Sequence, residues 1–137
     1  MKSISYWNNK LQKTIDDYPE AVRDRINFEL VALQNDCPHA FDDFDLDVVE
    51  DDDEEADLGK KRYPPAKKKS MKETIGEFAM QLTIKGKDSY RVIYVAKFEE
   101  AIYVLHTFMK KTEGVSKKEY RTASLRYKEL EKHLAEN

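Results

Sequence analysis

The feature that most constrains this chain is a pair of apolar runs at residues 92–96 and 102–108, joined by a short acidic segment. Both runs are rich in β-branched and aromatic residues, which fit a pleated surface that is buried on one or both faces. They therefore predict a β-hairpin. Arg91 precedes the first run, and Lys110 and Lys111 follow the second. These cations are either ordinary solubilising flanks of a core hairpin or part of a phosphate site.

Charge is distributed unevenly along the sequence. The net charge of −3 averages over residues 1–41 with 5 Lys/Arg and 6 Asp/Glu, residues 42–58 with 11 Asp/Glu alone, and residues 59–137 with 19 Lys/Arg and 10 Asp/Glu. A basic body of charge +9 thus follows an acidic tract of charge −11. The low pI does not argue against a polyanionic partner.

Length and cysteine content suit one domain in a reducing compartment. We expect a single domain over residues 1–137, because this length buries a modest core without disulfides. Cys37 is the one cysteine, and no Cys/His pairs have metal-ligand spacing, so we expect no structural metal and no other cofactor. The N-terminal residues lack the apolar core of a signal peptide and no run approaches membrane-spanning length. We therefore expect a cytoplasmic protein with no membrane partner.

Hydrophobic periodicity predicts an α+β fold. A short strand is predicted at residues 4–7 and a helical hairpin at 11–33, whose apolar positions are Leu11, Ile15, Tyr18, Val22, Ile26, Leu30 and Leu33. Alternation at Phe78, Met80, Leu82 and Ile84 predicts a strand with one buried face, which leads into the hairpin.

A final helix is predicted after the hairpin. Ser116 and Glu119 have capping-box spacing, and a helical stripe of Tyr120, Ala123, Tyr127, Leu130 and Leu134 follows. The expected architecture is a small antiparallel sheet with the helical hairpin and the final helix packed on it.

Residues 42–69 predict a loop with little regular structure, because dense like charge is followed by Gly59 and two prolines. One interpretation is a solvated, flexible insertion. The other is self-masking, in which 11 tethered carboxylates cover a phosphate site on the basic body. Equal RNA affinity and salt dependence after deletion of residues 42–57 would reject self-masking.

Several segments resemble the phage-derived, HigB-like branch of the RelE/ParE toxin superfamily. The similar segments are YRVIYVAKFEEAIYVLHTFMKKTEG at 90–114, SKKEYRTASLRYKEL at 116–130, KSMKETIG at 69–76 and YPEAVRDRINFELVALQND at 18–36. The resemblance covers most of the chain apart from the acidic insertion. It implies a RelE-like fold and the toxin of a toxin–antitoxin pair, a ribosome-dependent mRNA endoribonuclease. The implied partners are a helix-turn-helix antitoxin, the ribosome and mRNA.

The resemblance also points to site residues. In metal-free RNA cleavage the ribose 2′-hydroxyl attacks the adjacent phosphorus, and cations stabilise the charge that builds on the phosphoryl oxygens. The candidate catalytic residues are Arg91, Lys110, Lys111, Lys72 and Lys69. Arg91 is the first choice, because a guanidinium on a strand can bind two phosphate oxygens; the alternative is a salt bridge to a carboxylate.

Other residues are candidates for RNA binding. They are Lys60, Lys61, Arg62, Lys67 and Lys68 in a basic run, together with Tyr94 and Arg126. Tyr94 either stacks on a base or fills the sheet. His106 has the chemistry of a general base, but its position in the middle of a strand favours a hydrogen-bonded core histidine.

The sequence departs from the family pattern on the strand before the hairpin. The family's strand carries a glutamate and an arginine, and the matching positions here are Gln81 and Thr83. A family lysine after the hairpin is replaced by Gly114. A lost arginine removes stabilisation of transition-state charge. The alternatives are therefore a catalytically silent binding module of the same fold, or a ParE-like topoisomerase inhibitor.

Overall fold

The computed structural model describes residues 2–35, 64–110 and 117–135, and the structural statements below concern these ranges. In chain order the elements are β1 Ser3–Tyr6, α1 Asn9–Asp16, α2 Glu20–Gln34, β2 Ala66–Ser70, β3 Ala79–Lys85, β4 Ser89–Val95, β5 Ala101–Lys110 and α3 Lys117–Ala135. The predicted α+β class, the helical hairpin and the final helix are confirmed.

The five described strands form a mixed sheet in the order β1-β5-β4-β3-β2. The prediction of an antiparallel sheet was wrong in one respect, because β1 pairs parallel with β5, with Ser3 opposite Ala101. The other three pairings are antiparallel. The apolar pattern does not predict whether two strands pair parallel or antiparallel, because both arrangements bury the same alternating residues.

Strand β2 corrects the predicted loop. Residues 66–70 pair antiparallel with β3, with Lys68 opposite Leu82, although the loop was expected to extend to residue 69. The segment AKKKS forms the edge of the sheet, where lysines are common because they discourage pairing with another chain. The acidic tract at residues 42–58 lies outside the described residues.

Each face of the sheet has its own core. Helices α1 and α2 cover one face, and α3 covers the other. The first core comprises Leu11, Ile15, Val22, Ile26, Leu30, Leu33, Leu82, Ile84, Tyr90, Val92, Tyr94, Ile102 and Val104. The second comprises Met71, Ile75, Ala79, Ile93, Val95, Leu105, Phe108, Ala123, Tyr127 and Leu130.

Strand β3 is buried on both faces, whereas the sequence predicted one buried face. Gln81 is 4% exposed and Thr83 is 9% exposed, although both are polar. They lie on the face that α3 covers, since Thr83 pairs with Arg91 and Gln81 pairs with Ile93 of β4. Buried polar side chains require hydrogen-bond partners, and these partners define the candidate site.

Candidate functional site

A chain of hydrogen bonds joins α3 to the middle of the sheet. The Nη1 group of Arg91 donates to the hydroxyl of Tyr120 at 2.8 Å. That hydroxyl donates to Oε1 of Gln81 at 2.8 Å, and Nε2 of Gln81 donates to Oγ1 of Thr83 at 3.3 Å. Arg91 Nε also donates a long bond of 3.5 Å to Oγ of Ser89. The polar side chains on this face therefore form one connected network around a half-buried guanidinium.

The hydrogen-bond partners of the Arg91 side chain among the described residues are uncharged. Its neighbours across the sheet are Thr83 on β3 and Phe108 on β5. Within residues 2–35, 64–110 and 117–135, no carboxylate lies within ion-pair distance of it. The alternative of a salt bridge is thus not observed in this part of the chain. A guanidinium held only by neutral partners retains its affinity for an incoming anion.

A second polar pair lies beside this network. Nε2 of His106 on β5 is 2.7 Å from Oε1 of Glu119, which lies in the first turn of α3. The His106 side chain is 14% exposed and that of Glu119 is 38% exposed. His106 is therefore hydrogen-bonded and largely buried, while the carboxylate reaches solvent.

Aromatic rings connect the two polar groups. The rings of His106 and Phe108 are stacked, with centroids 5.7 Å apart and planes inclined by 28°. Phe108 in turn meets the ring of Tyr120 edge-on, with centroids 5.8 Å apart. A bulge in the pairing of β4 and β5 at Ile93/Tyr94 shifts the register next to His106. Such bulges redirect side chains, and here Leu105 and His106 both contact α3.

Arg126 is engaged in structural contacts. Its Nη1 group donates to the carbonyl oxygen of Leu105 at 2.8 Å and lies 3.4 Å from Nδ1 of His106. Its guanidinium also lies over the ring of Trp7, 5.7 Å from the centroid. Burial lowers the pKa of Arg126 below the usual value for arginine. These contacts fix Arg126 against β5 and leave it a minor candidate for RNA binding.

The lysines of β2 divide between the two faces of the sheet. Lys67 and Lys69 are exposed and pair with Thr83 and Gln81, so they share the face of Arg91. Lys68 faces the other way, and its Nζ lies 2.7 Å from Oε1 of the fully buried Glu29 on α2. Two of the three adjacent lysines thus extend the site, whereas Lys68 belongs to a buried ion cluster.

The remaining predicted residues are placed as follows. Lys110 ends β5 opposite Ser89, at the margin of the Arg91 network. Lys72 is exposed in the connection between β2 and β3. Tyr94 is 1% exposed within the first core, on the face away from Arg91, so it fills the sheet and offers no ring face to a base. The candidates outside the described residues are Lys60, Lys61, Arg62 and Lys111.

A groove beside the network widens the basic surface. Its volume is about 430 Å³, and Tyr120 lies at one side of it. Three cations of α3, Lys117, Arg121 and Lys128, line the groove. Tyr120 belongs both to this groove and to the Arg91 network, so the three cations lie on the α3 side of that network.

Sequence reasoning missed two residues of this site. Tyr120 was predicted as a packing residue of α3, and Glu119 as part of a capping box with Ser116, which lies outside the described residues. In the structure the Glu119 carboxylate is hydrogen-bonded to His106, 13 positions earlier in the sequence. The Tyr120 hydroxyl donates a hydrogen bond to Gln81, 39 positions earlier. An adjacent Glu and Tyr in the first turn of an amphipathic helix carry no local signal of such distant partners.

The fold and the site define a class: an α+β protein in which an arginine lies between the sheet and a basic helix, without a carboxylate partner among the described residues. The family model described as Phage derived protein Gp49-like (DUF891) matches residues 39–128, about two thirds of the chain. The chain belongs to this Gp49-like family of phage-derived proteins. No curated protein and no solved structure matches it.

The described residues contain no candidate membrane span and no candidate metal cluster. None of their helices combines the length and apolar character needed to cross a membrane. No group of three or more His, Cys, Asp or Glu side chains in this part of the chain could hold a metal ion.

Proposed function

We propose that this protein is the toxin of a type II toxin–antitoxin pair, a HigB-like member of the RelE superfamily that cleaves ribosome-bound mRNA. The observation that carries the proposal is Arg91, a guanidinium oriented by Tyr120 without a described carboxylate partner. Membership in the Gp49-like family supports the same direction. The proposed setting is the cytoplasm.

The proposed reaction needs groups that this site supplies. Attack of the ribose 2′-hydroxyl on the adjacent phosphorus builds negative charge on the phosphoryl oxygens. Arg91 binds these oxygens, because its guanidinium presents several N–H donors in a rigid plane. Lys67 and Lys69 attract the neighbouring phosphates from the edge of the sheet, and Lys110 does so from the end of β5.

The partners of the proposed toxin follow from its class. mRNA on the ribosome is the substrate, and a helix-turn-helix antitoxin neutralises the activity. The groove along α3 supports the first of these, because Lys117, Arg121 and Lys128 extend the cationic surface beyond Arg91.

Expression in a bacterial host tests this proposal. We expect induced wild-type protein to arrest growth and protein synthesis, and Arg91→Ala to relieve the arrest. Arg91→Lys keeps the charge but not the planar donor set, so we expect it to remain impaired. Arg23→Ala is the matched control, because Arg23 lies on α2, across the sheet from the site. Harmless expression of the wild type, or equal arrest by Arg91→Ala, would refute the proposal.

A second function is favoured by one observation. Gln81 and Thr83 are uncharged at the positions where the HigB-like pattern that the sequence resembles has a glutamate and an arginine, and both are buried. A catalytically silent module that binds RNA or protein would tolerate these residues. It predicts growth arrest, if any, without cleaved mRNA, so the same cells examined for mRNA fragments distinguish the two functions.

A further inference from the structure

One oxygen of the Glu119 carboxylate has a hydrogen-bond partner among the described residues and the other has none. His106 Nε2 binds Oε1 of Glu119 at 2.7 Å, and no described residue hydrogen-bonds the second oxygen, Oε2. With 38% of its side chain exposed, Glu119 is accessible to solvent. A carboxylate anchored through one oxygen and open at the other can accept a proton from a bound molecule.

The contacts of the two ring nitrogens of His106 indicate whether it orients Glu119 or contacts a substrate. Arginine has donors only, so the Arg126 Nη1 group 3.4 Å from Nδ1 suits a neutral ring that carries its proton on Nε2. That proton points at Glu119. Both ring nitrogens therefore face protein groups, and His106 is placed to orient the carboxylate rather than to contact a substrate.

The carboxylate and Arg91 border the same face of the sheet. Glu119 immediately precedes Tyr120, the residue that holds Arg91. His106 on β5 pairs with Ile93 on β4. Ile93 and Arg91 are two residues apart on that strand, so their Cα atoms are about 7 Å apart. Arg91 and the Glu119 carboxylate therefore lie on the same side of the sheet, where its strands meet the first turn of α3.

We propose that Glu119 is the proton acceptor of the cleavage reaction and that His106 is its positioning residue. This inference rests on the proposed function. The Glu119 carboxylate takes the proton of the 2′-hydroxyl as the O2′–P bond forms. The P–O5′ bond breaks, and the 5′ oxygen leaves with a proton from solvent water. The products are a 2′,3′-cyclic phosphate and a 5′-hydroxyl end.

The test measures single-turnover cleavage of 5′-labelled mRNA on purified translating ribosomes by the full chain. Glu119→Gln keeps the shape and can still accept the His106 hydrogen bond, but it cannot take the proton. We expect its rate to fall by about 10²–10⁴-fold with ribosome binding unchanged. Glu129→Gln is the matched control, because Glu129 is an exposed carboxylate further along α3. We expect it to cleave like the wild type.

Two further readouts exclude a purely structural role. Added formate should raise the rate of Glu119→Ala, whose shortened side chain leaves room for a small carboxylate, but not that of Glu119→Gln. His106→Gln, which retains an N–H donor, should keep more activity than His106→Leu, with the loss in the rate constant of cleavage and not in ribosome binding.

The cleavage assay distinguishes failure of the proposed function from failure of the proposed role of Glu119. If the wild type leaves mRNA intact, the proposed function fails and this inference fails with it. If the wild type cleaves and Glu119→Gln cleaves at the same rate, the function stands and the role of Glu119 is overturned. A slow Glu119→Ala that formate does not accelerate, together with equal His106 variants, also overturns it.

Discussion

At the scale of single residues, the orientation of Arg91 depends on contacts from both ends. The Tyr120 hydroxyl binds its guanidinium, and Thr107 Oγ1 donates to its carbonyl oxygen at 2.9 Å. Thr107 is in turn bonded to the hydroxyl of Tyr18 at 2.9 Å. Both helical layers therefore help to fix one arginine, which is the preorganisation that electrostatic catalysis requires.

Tyr120→Phe tests this arrangement. Loss of the hydroxyl leaves the buried Gln81 amide without its donor, so we expect a loss of about 1–2 kcal/mol in the free energy of unfolding, measured with urea. RNA cleavage should also fall, because Arg91 loses an anchor. Tyr103→Phe is the control, since no hydrogen bond to the Tyr103 hydroxyl is found in the described part of the chain. Equal stability of the two variants would contradict the network.

Replacement of the adjacent residues Lys67 and Lys68 on β2 should have very different effects on the stability of the protein. Lys68 neutralises Glu29, which is fully buried with Arg25 Nε 3.4 Å from its other oxygen. We expect Lys68→Met to cost about 3 kcal/mol of stability in urea unfolding, because it leaves a poorly compensated buried charge. Lys67 is exposed and lies on the opposite face of the sheet from Glu29, so Lys67→Met should change stability by less than about 0.5 kcal/mol.

The same two variants should show the opposite order in RNA binding. Lys67→Met should weaken binding and reduce the salt dependence by about one counterion, whereas Lys68→Met should alter neither. If Lys68→Met weakens binding more than Lys67→Met, the assignment of the two faces is wrong.

At the scale of elements, the connection from β2 to β3 packs tightly under α3. Tyr127 accepts a hydrogen bond from the Phe78 backbone N–H at 3.1 Å, and its ring covers Gly76. A Cβ atom at Gly76 would collide with this ring. The absence of a side chain at this position therefore lets α3 approach the sheet.

Gly76→Ala should cost about 1–3 kcal/mol, because Tyr127 must move and its bond to Phe78 weakens. Thermal unfolding with a matched Gly86→Ala variant measures this effect. Gly86 lies in the turn before β4, and the nearest atom to an added Cβ is 3.8 Å away, so its substitution should be nearly neutral. A Gly76→Ala protein as stable as Gly86→Ala would contradict the described packing.

The elements were predictable to different degrees. The helices and β3–β5 were predictable because their apolar residues recur with clear periods. Strand β2 was not, because AKKKS offers a single apolar residue and gains its structure from hydrogen bonds to β3. The parallel partner of β1 was hidden for a similar reason, since β5 begins almost 100 residues later.

A site residue was predictable only where the local sequence pattern itself indicates its role. Arg91 could be selected because it precedes a recognisable apolar run and matches a family pattern. Glu119 and Tyr120 could not, because their roles depend on how α3 meets β5 and β3 in space. Tyr94 was misleading, since an aromatic residue on a strand faces either a ligand or the core, and here it faces the core.

At the scale of the whole molecule, buried tyrosines make stability sensitive to alkaline pH. Burial raises the pKa of Tyr18, Tyr90 and Tyr127 above 10.0. Their ionisation is then easier in the unfolded chain than in the folded protein. Stability is unaffected below the unfolded pKa and falls as pH rises through the folded pKa values.

We expect urea midpoints that are level from pH 8 to about 9.5 and fall above about pH 10. Tyrosinate absorbance should rise with the unfolding transition and not before it for these residues. Full ionisation of all tyrosines in a protein that stays folded would contradict their burial.

If Arg91 belongs to an RNA-cleaving site, as we propose, the mRNA must acquire new ends of defined chemistry. Labelled mRNA on translating ribosomes is incubated with the full chain, and the new ends are mapped and typed. We expect fragments with 2′,3′-cyclic phosphate and 5′-hydroxyl ends for the wild type and for Arg23→Ala, and none for Arg91→Ala. Intact mRNA with the wild type, or equal fragmentation by Arg91→Ala, would contradict the proposal.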